Sequence, residues 1–317
     1  MAAARLFGSG AARPRLLWRC ALTRPRQCRW HNTLSHPLTP QQLHELHAPL
    51  TPADLDHLDK QGYVVVQQFV CKELVRGAID ELARVHEGAT LSADSDTFKL
   101  SEQDRKIRDD TLIWVSPPEA ASWGCGSLAT IAEVVLGVVK PIEERRPNWA
   151  SLLQPPRKCM VSNYRGPAGH YVAHRDGIPL DRAGADLAAA KQEMHKMITD
   201  GYWAEGGNFV ATIKESAGAM KTVGDAKHSN REITCICYLN DDDWDAERDG
   251  GALRLFVGTE AGDELGVTAK SHVDVAPGSG TLVLFNSRTM LHEVRPTRRP
   301  RHALSAWIET RSSRPKD

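Results

Sequence analysis

Long apolar runs are missing from this 317-residue sequence. No stretch reaches the roughly eighteen consecutive apolar residues of a membrane-spanning helix, so no transmembrane helix is predicted. An excess of one charge is missing too, because 40 basic residues balance 40 acidic ones. Without a basic field, neither nucleic acid nor an anionic membrane surface is expected as a partner. Hydrophobic residues make up 41% of the chain, which is enough for one large core or two small ones.

Cysteine is sparse, and its spacing carries no zinc-binding signature. The seven cysteines include no Cys-x-x-Cys pair, which argues against a structural zinc site. Cys235 and Cys237 lie two residues apart in a predicted strand and share one face. We interpret the cysteines as buried, reduced thiols, with a redox sensor at Cys235 or Cys237 as the alternative.

Acidic residues are absent from the first 44 residues, which contain seven arginines and no lysine. Arginine-rich, acid-poor composition is typical of a transit peptide, so residues 1–44 predict mitochondrial import, with a plastid as an alternative. The competing interpretation is a disordered basic tail on a protein of the cytoplasm or nucleus. Residues 311–317 are interpreted as a short C-terminal tail.

Residues 45–157 carry helix signals and two strand signals. Thr51 and Pro52 mark a helix start, and Gly62 marks its end. The other predicted elements are a strand over 63–70, a helix over 72–88, a strand over 111–115 and a helix over 127–144 that is broken near Pro141. Arg108-Asp109-Asp110 is interpreted as a solvated turn.

Residues 158–310 show short strands separated by turns rich in Gly, Pro and Asp. This pattern predicts a mainly β core, a jelly roll or double-stranded β-helix, with the N-terminal helices packed outside it as buttresses. A long segment at 177–230 interrupts the pattern and is interpreted as an insert.

His174-Arg175-Asp176, together with His292, fits the ligand set of a facial iron triad, which is two imidazoles and one carboxylate. Residues two apart on a strand point to the same side, so His174 and Asp176 can bind one ion while Arg175 faces away. His292 must then come from a neighbouring strand. By itself this is a weak signal in a chain with thirteen histidines.

Arg301 strengthens the interpretation because it lies nine positions after His292, at the start of a predicted strand. An arginine there can bind a carboxylate through two parallel hydrogen bonds. With a period of two, Ala303, Ser305 and Trp307 share its face of the strand, which fits a pocket for 2-oxoglutarate. Arg298 and Arg299 are interpreted as solvated cations of the same basic run.

Three stretches carry a resemblance to a known family: 160–176 (MVSNYRGPAGHYVAHRD), 231–256 (REITCICYLNDDDWDAERDGGALRLF) and 291–309 (LHEVRPTRRPRHALSAWIE). They resemble the iron(II)- and 2-oxoglutarate-dependent prolyl 4-hydroxylases, nearest the oxygen-sensing, hypoxia-inducible-factor type and its bacterial relatives. The similarity covers about 51–310 apart from the insert.

The resemblance implies a role for each matching residue. His174, Asp176 and His292 would bind Fe(II), and Arg301 would bind 2-oxoglutarate. The residues expected around the 2-oxoglutarate pocket are Tyr164, Tyr238 and Ser305, and those expected near substrate are Tyr171, Arg231 and Trp307. The implied reaction is hydroxylation of a proline in a protein substrate, with O2 as cosubstrate, ascorbate as reductant and succinate and CO2 as products.

Two other functions stay open at this point. The insert at 177–230 follows the iron-binding pair directly, and it keeps open an oxygenase of the same fold that acts on another residue or a small molecule. A non-enzymatic sensor or scaffold is the third possibility, although intact His174, Asp176, His292 and Arg301 count against it. The oligomeric state stays open.

Overall fold

The computed structural model of the chain describes residues 47–87, 108–146, 153–177, 231–257 and 271–310. The predicted transit segment, the polar stretch 89–106 that the sequence predicts as a loop, the insert beyond Gly177 and the C-terminal tail lie outside the described residues. None of the described helices is both long enough and apolar enough to cross a membrane.

The described residues form mostly antiparallel β structure with a smaller number of helices. The strands are β1 (Tyr63–Val66), β2 (Thr111–Val115), β3 (Leu153–Gln154), β4 (Cys159–Tyr164), β5 (Tyr171–His174), β6 (Arg231–Tyr238), β7 (Leu253–Val257), β8 (Ser271–Val275), β9 (Leu282–Asn286), β10 (His292–Val294) and β11 (Arg301–Thr310). The helices are α1 (Pro52–Gln61), α2 (Lys72–Glu87), α3 (Pro117–Ser122), α4 (Gly126–Leu136), α5 (Val139–Arg145) and α6 (Ala246–Asp249).

The strands pair into two sheets. The larger sheet has seven strands in the order β1-β9-β6-β11-β4-β2, with β3 paired to β11, and the smaller has four in the order β5-β10-β7-β8. Every pair is antiparallel. The prediction of a mainly β core behind N-terminal helices is confirmed at this level.

Strand β11 shows how the larger sheet separates two cores. Leu304, Ala306 and Ile308 pack in a cluster with apolar residues of α2 and α4. Ala303, one residue out of phase, packs in a second cluster with Leu253 and other residues of the smaller sheet. Because successive side chains of a strand point to opposite faces, one face of β11 supports the helices and the other faces the space between the sheets.

Helix α1 begins and ends where its sequence signals predict. The Thr51 side chain accepts a hydrogen bond from the Asp54 backbone N–H, and the Asp54 carboxylate accepts one from the Thr51 N–H. Gly62 ends the helix with a φ of 76° and donates its N–H to the Leu58 carbonyl. Such reciprocal capping satisfies backbone groups that have no partner within the helix.

Two predictions on the N-terminal half were wrong in detail, and one helix was missed. Strand β1 stops at Val66 instead of residue 70, because the chain turns at Gln68, where φ is 52°. The break in the 127–144 helix falls between Leu136 and Val139 rather than at Pro141. Pro141 lies in the first turn of α5, where a missing N–H costs no helical hydrogen bond. Helix α3 was not predicted.

Candidate metal centre

The two histidines of the predicted triad meet across neighbouring strands. Strands β5 and β10 are antiparallel and place His292 directly opposite His174, with 4.3 Å between the ring centroids. The expectation that His174 and Asp176 share a strand was wrong, because β5 ends at His174. Asp176 nevertheless reaches the same point: one oxygen lies 3.5 Å from His174 Nε2 and the other 3.7 Å from His292 Nε2.

Each imidazole is oriented by a backbone carbonyl two residues earlier in the chain. His174 Nδ1 lies 2.8 Å from the Val172 oxygen, and His292 Nδ1 lies 3.1 Å from the Met290 oxygen. A carbonyl only accepts, so each Nδ1 carries the proton and each Nε2 keeps its lone pair. One ligand atom from each residue of the triad lies within 4.8 Å of the others, a separation that a single divalent cation can bridge.

The charges of the triad suit a metal cation. Burial acts to raise the pKa of Asp176, but His292 and His174 hold that pKa well below its usual value. Burial and the neighbouring His174 lower the pKa of His292 to about 4. At neutral pH, Asp176 is thus ionised and His292 neutral, which are the forms that bind Fe(II).

Arg301 lies fully buried at the start of β11, as predicted. Its side chain is 1% exposed, and its Nε–H donates to the Gly251 carbonyl over 2.8 Å. The guanidinium carbon is 5.0 Å from the ring centroids of both Tyr164 and Tyr238. No carboxylate of the described residues pairs with it. Since a buried cation without a counter-charge is costly, this pocket fits an anionic ligand.

Two of the three predicted pocket residues, Tyr164 and Tyr238, flank this guanidinium. Tyr164 pairs with Arg301 across β4 and β11, and Tyr238 pairs with Ala303 across β6 and β11. Burial raises the pKa of Tyr238 to about 12 against the opposing effect of Arg301, so the phenol keeps its proton. Arg301 can only donate, so within the described residues this hydroxyl has no acceptor for its proton. Ser305 is buried further along β11.

Tyr171 lies against His174, one residue of the triad. Its ring stacks on that of His174 with 3.7 Å between the ring centroids, and the guanidinium carbon of Arg108 lies 4.5 Å from the Tyr171 ring centroid. Interpreting residues 108–110 as a solvated turn was wrong. Arg108 donates two hydrogen bonds to Asp110, which is 3% exposed, so this turn is a buried ion pair beside the site.

Arg231 and Trp307 form a second contact pair close to the triad. The guanidinium of Arg231 lies 3.7 Å from the Trp307 ring centroid, and burial lowers the pKa of Arg231 while Asp176 acts to raise it. The Nε of Arg231 and the indole nitrogen of Trp307 are buried with no hydrogen-bond partner in the described ranges. The Arg231 Nε–H and the Trp307 indole N–H are therefore available to donate hydrogen bonds to a ligand.

The structure also corrects and confirms predictions away from the triad. Arg298 is exposed, as predicted for a solvated cation, and it donates to two backbone carbonyls. Arg299 departs from the prediction, because it is half-buried, lies 4.4 Å from the Trp244 ring centroid and binds Asp243. Cys235 and Cys237 are buried free thiols, as predicted. Burial raises the pKa of each to about 12, which argues against the redox-sensor alternative.

Thr234 is a site residue that the sequence did not reveal. It lies on β6 four positions before Tyr238, on the same face of the strand, and its hydroxyl donates to Asp176 over 2.8 Å. The period-two pattern of β6 was the available signal. This pattern shows that Thr234 and Tyr238 share a face of β6. It does not show that the segment containing Asp176 lies opposite that face.

Residues 159–309 match the family model of the 2OG-Fe(II) oxygenase superfamily. This segment, just under half of the chain, is similar to that superfamily. It contains the triad and Arg301. Among curated relatives, Egl nine homolog 1 of Rattus norvegicus is 23% identical over 251 residues, which cover 79% of this chain and 56% of the relative. The chain spans about half the length of the curated relatives that it matches first.

Solved structures share the fold of this segment and of the elements that precede it. A prolyl hydroxylase from Trichoplax adhaerens, in complex with a peptide fragment of the hypoxia-inducible factor oxygen degradation domain, aligns with a TM-score of 0.53 at 19% identity. The alignment covers 81% of this chain and 87% of that one. A prolyl 4-hydroxylase from Phytophthora capsici gives a TM-score of 0.51 at 19% identity, with 87% and 68% covered.

Proposed function

We propose that the protein is an Fe(II)- and 2-oxoglutarate-dependent dioxygenase that hydroxylates a proline of a protein substrate and releases succinate and CO2. The observation that carries the proposal is a metal-binding triad in the same site as Arg301, a buried cation for which the described residues supply no carboxylate. Curated relatives that are named as prolyl hydroxylases, and the similar structures of prolyl hydroxylases, support proline as the target.

In this proposal the two sheets are the halves of a jelly roll, and the cofactors lie between them. His174, Asp176 and His292 would hold Fe(II), which supplies O2 activation coupled to oxidative decarboxylation of 2-oxoglutarate. Arg301 would bind the far carboxylate of 2-oxoglutarate through its guanidinium, and the Tyr238 hydroxyl has a proton free to donate to the same group.

The substrate side would be formed by two cation–aromatic pairs. The rings of Tyr171 and Trp307 offer flat apolar surfaces against which a pyrrolidine ring can pack, and Arg108 and Arg231 hold those rings in place. Because Tyr171 stacks on His174, a target carbon held on this ring would lie close to the metal. The residues thus combine substrate orientation with exclusion of water from the reacting atoms.

The test is mass spectrometry of a cell lysate treated with the purified protein, Fe(II), ascorbate and O2, with and without 2-oxoglutarate. We expect new additions of one oxygen on prolines of one or a few proteins. These additions should disappear with His174→Ala protein. Oxygen on other residues would retain the oxygenase and discard proline as the target. Succinate without any protein modification would indicate a small-molecule substrate. The absence of both succinate and protein modification would overturn the enzyme proposal.

We also propose that residues 1–44 direct the protein to mitochondria, on the strength of their seven arginines and lack of acidic residues. A fusion of residues 1–44 to a fluorescent protein tests this directly. We expect mitochondrial fluorescence that is lost when the seven arginines are replaced by glutamine. Fluorescence throughout the cytoplasm and nucleus with the unaltered segment would contradict the proposal.

A further inference from the structure

The third metal ligand, Asp176, lies outside the strand ladder that fixes the two histidines. Strand β5 ends at His174, so no inter-strand pairing determines where the carboxylate points. We infer that Thr234 and Ser287 are positioning residues that hold Asp176 for the metal. The inference rests on the proposed metal site and adds to it a set of contacts that orients one of its ligands.

A chain of hydroxyl groups reaches the carboxylate from β6. Thr234 Oγ1 lies 2.8 Å from Asp176 Oδ2 and 2.8 Å from Ser287 Oγ. An ionised carboxylate only accepts hydrogen bonds, so the single hydroxyl proton of Thr234 must go to Asp176. Thr234 then accepts from Ser287, and this fixes the direction of the whole chain as Ser287 to Thr234 to Asp176. Thr234 and Ser287 are both fully buried, so water does not compete for these contacts.

Ser287 also holds the backbone next to Asp176. Its carbonyl accepts the N–H of Gly177 over 2.7 Å, and its own N–H donates to the Glu232 carbonyl over 2.9 Å. The carboxylate is therefore held through its side chain by Thr234 and through the following residue by Ser287. Partners of this kind fix the orientation of metal ligands, and their loss typically weakens metal binding about 10- to 100-fold.

The experiment measures Co(II) binding to the full chain by its visible absorption, because Co(II) accepts the same donor set as Fe(II) without needing turnover. Thr234→Val keeps the side-chain shape and removes the hydroxyl, and we expect it to weaken Co(II) binding about 10- to 100-fold. Thr234→Ser keeps the hydroxyl and should bind Co(II) within about twofold of the unaltered protein. The melting temperature of the metal-free protein separates this effect from a loss of folding.

Thr130→Val is the matched control, because Thr130 is another buried threonine whose hydroxyl donates, over 2.9 Å, to a carbonyl in helix α4. It should leave Co(II) binding unchanged. Ser287→Ala should weaken Co(II) binding in the unaltered background by more than in the Thr234→Val background, because part of its effect passes through the Thr234 hydroxyl.

Two results would overturn the inference while the metal site stands. One is unchanged Co(II) affinity in Thr234→Val, and the other is an equal loss in Thr234→Ser, which would assign the effect to packing. In both cases the unaltered protein binds Co(II) and His174→Ala abolishes binding. If the unaltered protein does not bind Co(II), the proposed metal site itself is contradicted, and the inference that rests on it is contradicted as well.

Discussion

At the residue scale, Arg301 is the side chain whose environment most needs a ligand. It is buried between two tyrosine rings with a single carbonyl contact from Gly251. We expect Arg301→Ala to raise the Kd for 2-oxoglutarate by the equivalent of about 2–5 kcal/mol, as for other truncated buried charge pairs. Titration calorimetry with the Co(II)-loaded protein measures this.

The control for that prediction is Arg299→Ala, from the same basic run. Arg299 is engaged with Trp244 and Asp243 instead of the pocket, so its loss should affect stability more than 2-oxoglutarate binding. Equal affinity of the Arg301→Ala and unaltered proteins for 2-oxoglutarate would remove Arg301 from the site.

Gly251 is the second residue on which the 2-oxoglutarate pocket depends. Its φ is 70°, and an added Cβ would lie 3.0 Å from Arg301 Cδ and 3.1 Å from Thr297 Oγ1. Gly251→Ala is therefore expected to cost about 1–3 kcal/mol of the free energy of unfolding through backbone strain, and to weaken 2-oxoglutarate binding by displacing Arg301. Urea denaturation and calorimetry measure the two effects.

Gly278→Ala is the comparison for Gly251→Ala. The Cβ added there meets only Thr281 Oγ1, at an ordinary 3.6 Å, and no left-handed φ is involved. We expect it to be neutral or slightly stabilising, since alanine restricts the unfolded chain. If both variants behave alike, the crowding between Gly251 and Arg301 does not matter for the pocket.

At the element scale, the capping box of α3 predicts a measurable pH dependence. Glu119 accepts hydrogen bonds from Lys158, from the Ser116 hydroxyl and from the Ser116 N–H, which lower its pKa from 4.5 to about 2. A depressed folded-state pKa contributes stability above pH 4.5 that is lost as pH falls towards 2. The Glu119 carboxylate is about two-fifths exposed, so solvent screening keeps the contribution small.

Glu119→Gln should therefore lower the free energy of unfolding by at most about 1 kcal/mol at pH 7. The difference from the unaltered protein should shrink between pH 4.5 and pH 2, as both proteins lose the charge. Urea denaturation at several pH values measures this. A difference for Glu119→Gln that is constant with pH would contradict the assignment.

The helix boundaries show what local sequence can and cannot predict. Helix α1 was predicted to the residue because Thr51, Pro52 and Gly62 act on their own neighbours in the chain. The break before Val139 was misplaced because proline is a strong signal only inside a helix, and Pro141 lies in a first turn. The capping signal for α3 was present at Ser116 and Glu119 but was not recognised.

The contacts that complete the site are long-range and could not be read from the chain. His174 and His292 were identified from their spacing pattern and the family resemblance, but their direct opposition depends on how β5 and β10 pair. Thr234 joins the site through a side-chain contact between segments 58 residues apart. Buried Asp110 shows the same limit, because a run of charged residues looks solvated until its packing partners are known.

At the scale of the whole molecule, the candidate metal site lies between two sheets, and the described chain beside it stops at Gly177 and resumes at Arg231. A Cβ added at Gly177 would lie 2.7 Å from the carbonyl oxygen of Arg231. The residues that flank the insert are thus already in contact without it. Replacing residues 178–230 by a short Gly-Ser linker should leave the fold and Co(II) binding intact.

We expect that deletion to change the free energy of unfolding by no more than about 2 kcal/mol, since loop-closure entropy varies only slowly with length. Circular dichroism, urea denaturation and Co(II) absorption measure the outcome. A deletion variant that fails to fold would show that the segment contributes to the core. A variant that folds but loses its protein substrate in the mass-spectrometric assay would place substrate choice in the segment.

The contact between Gly177 and Arg231 also bears on how proteins of this kind can diverge. A gain or loss of sequence between these two residues does not alter the spacing of the strands that carry the iron ligands. We therefore expect residues 178–230 to vary in length and sequence independently of the metal site. Asp176, one residue before Gly177, would be under selection for metal binding instead. The substrate specificity of such a protein can in this way change in evolution without an intermediate that has lost its metal site.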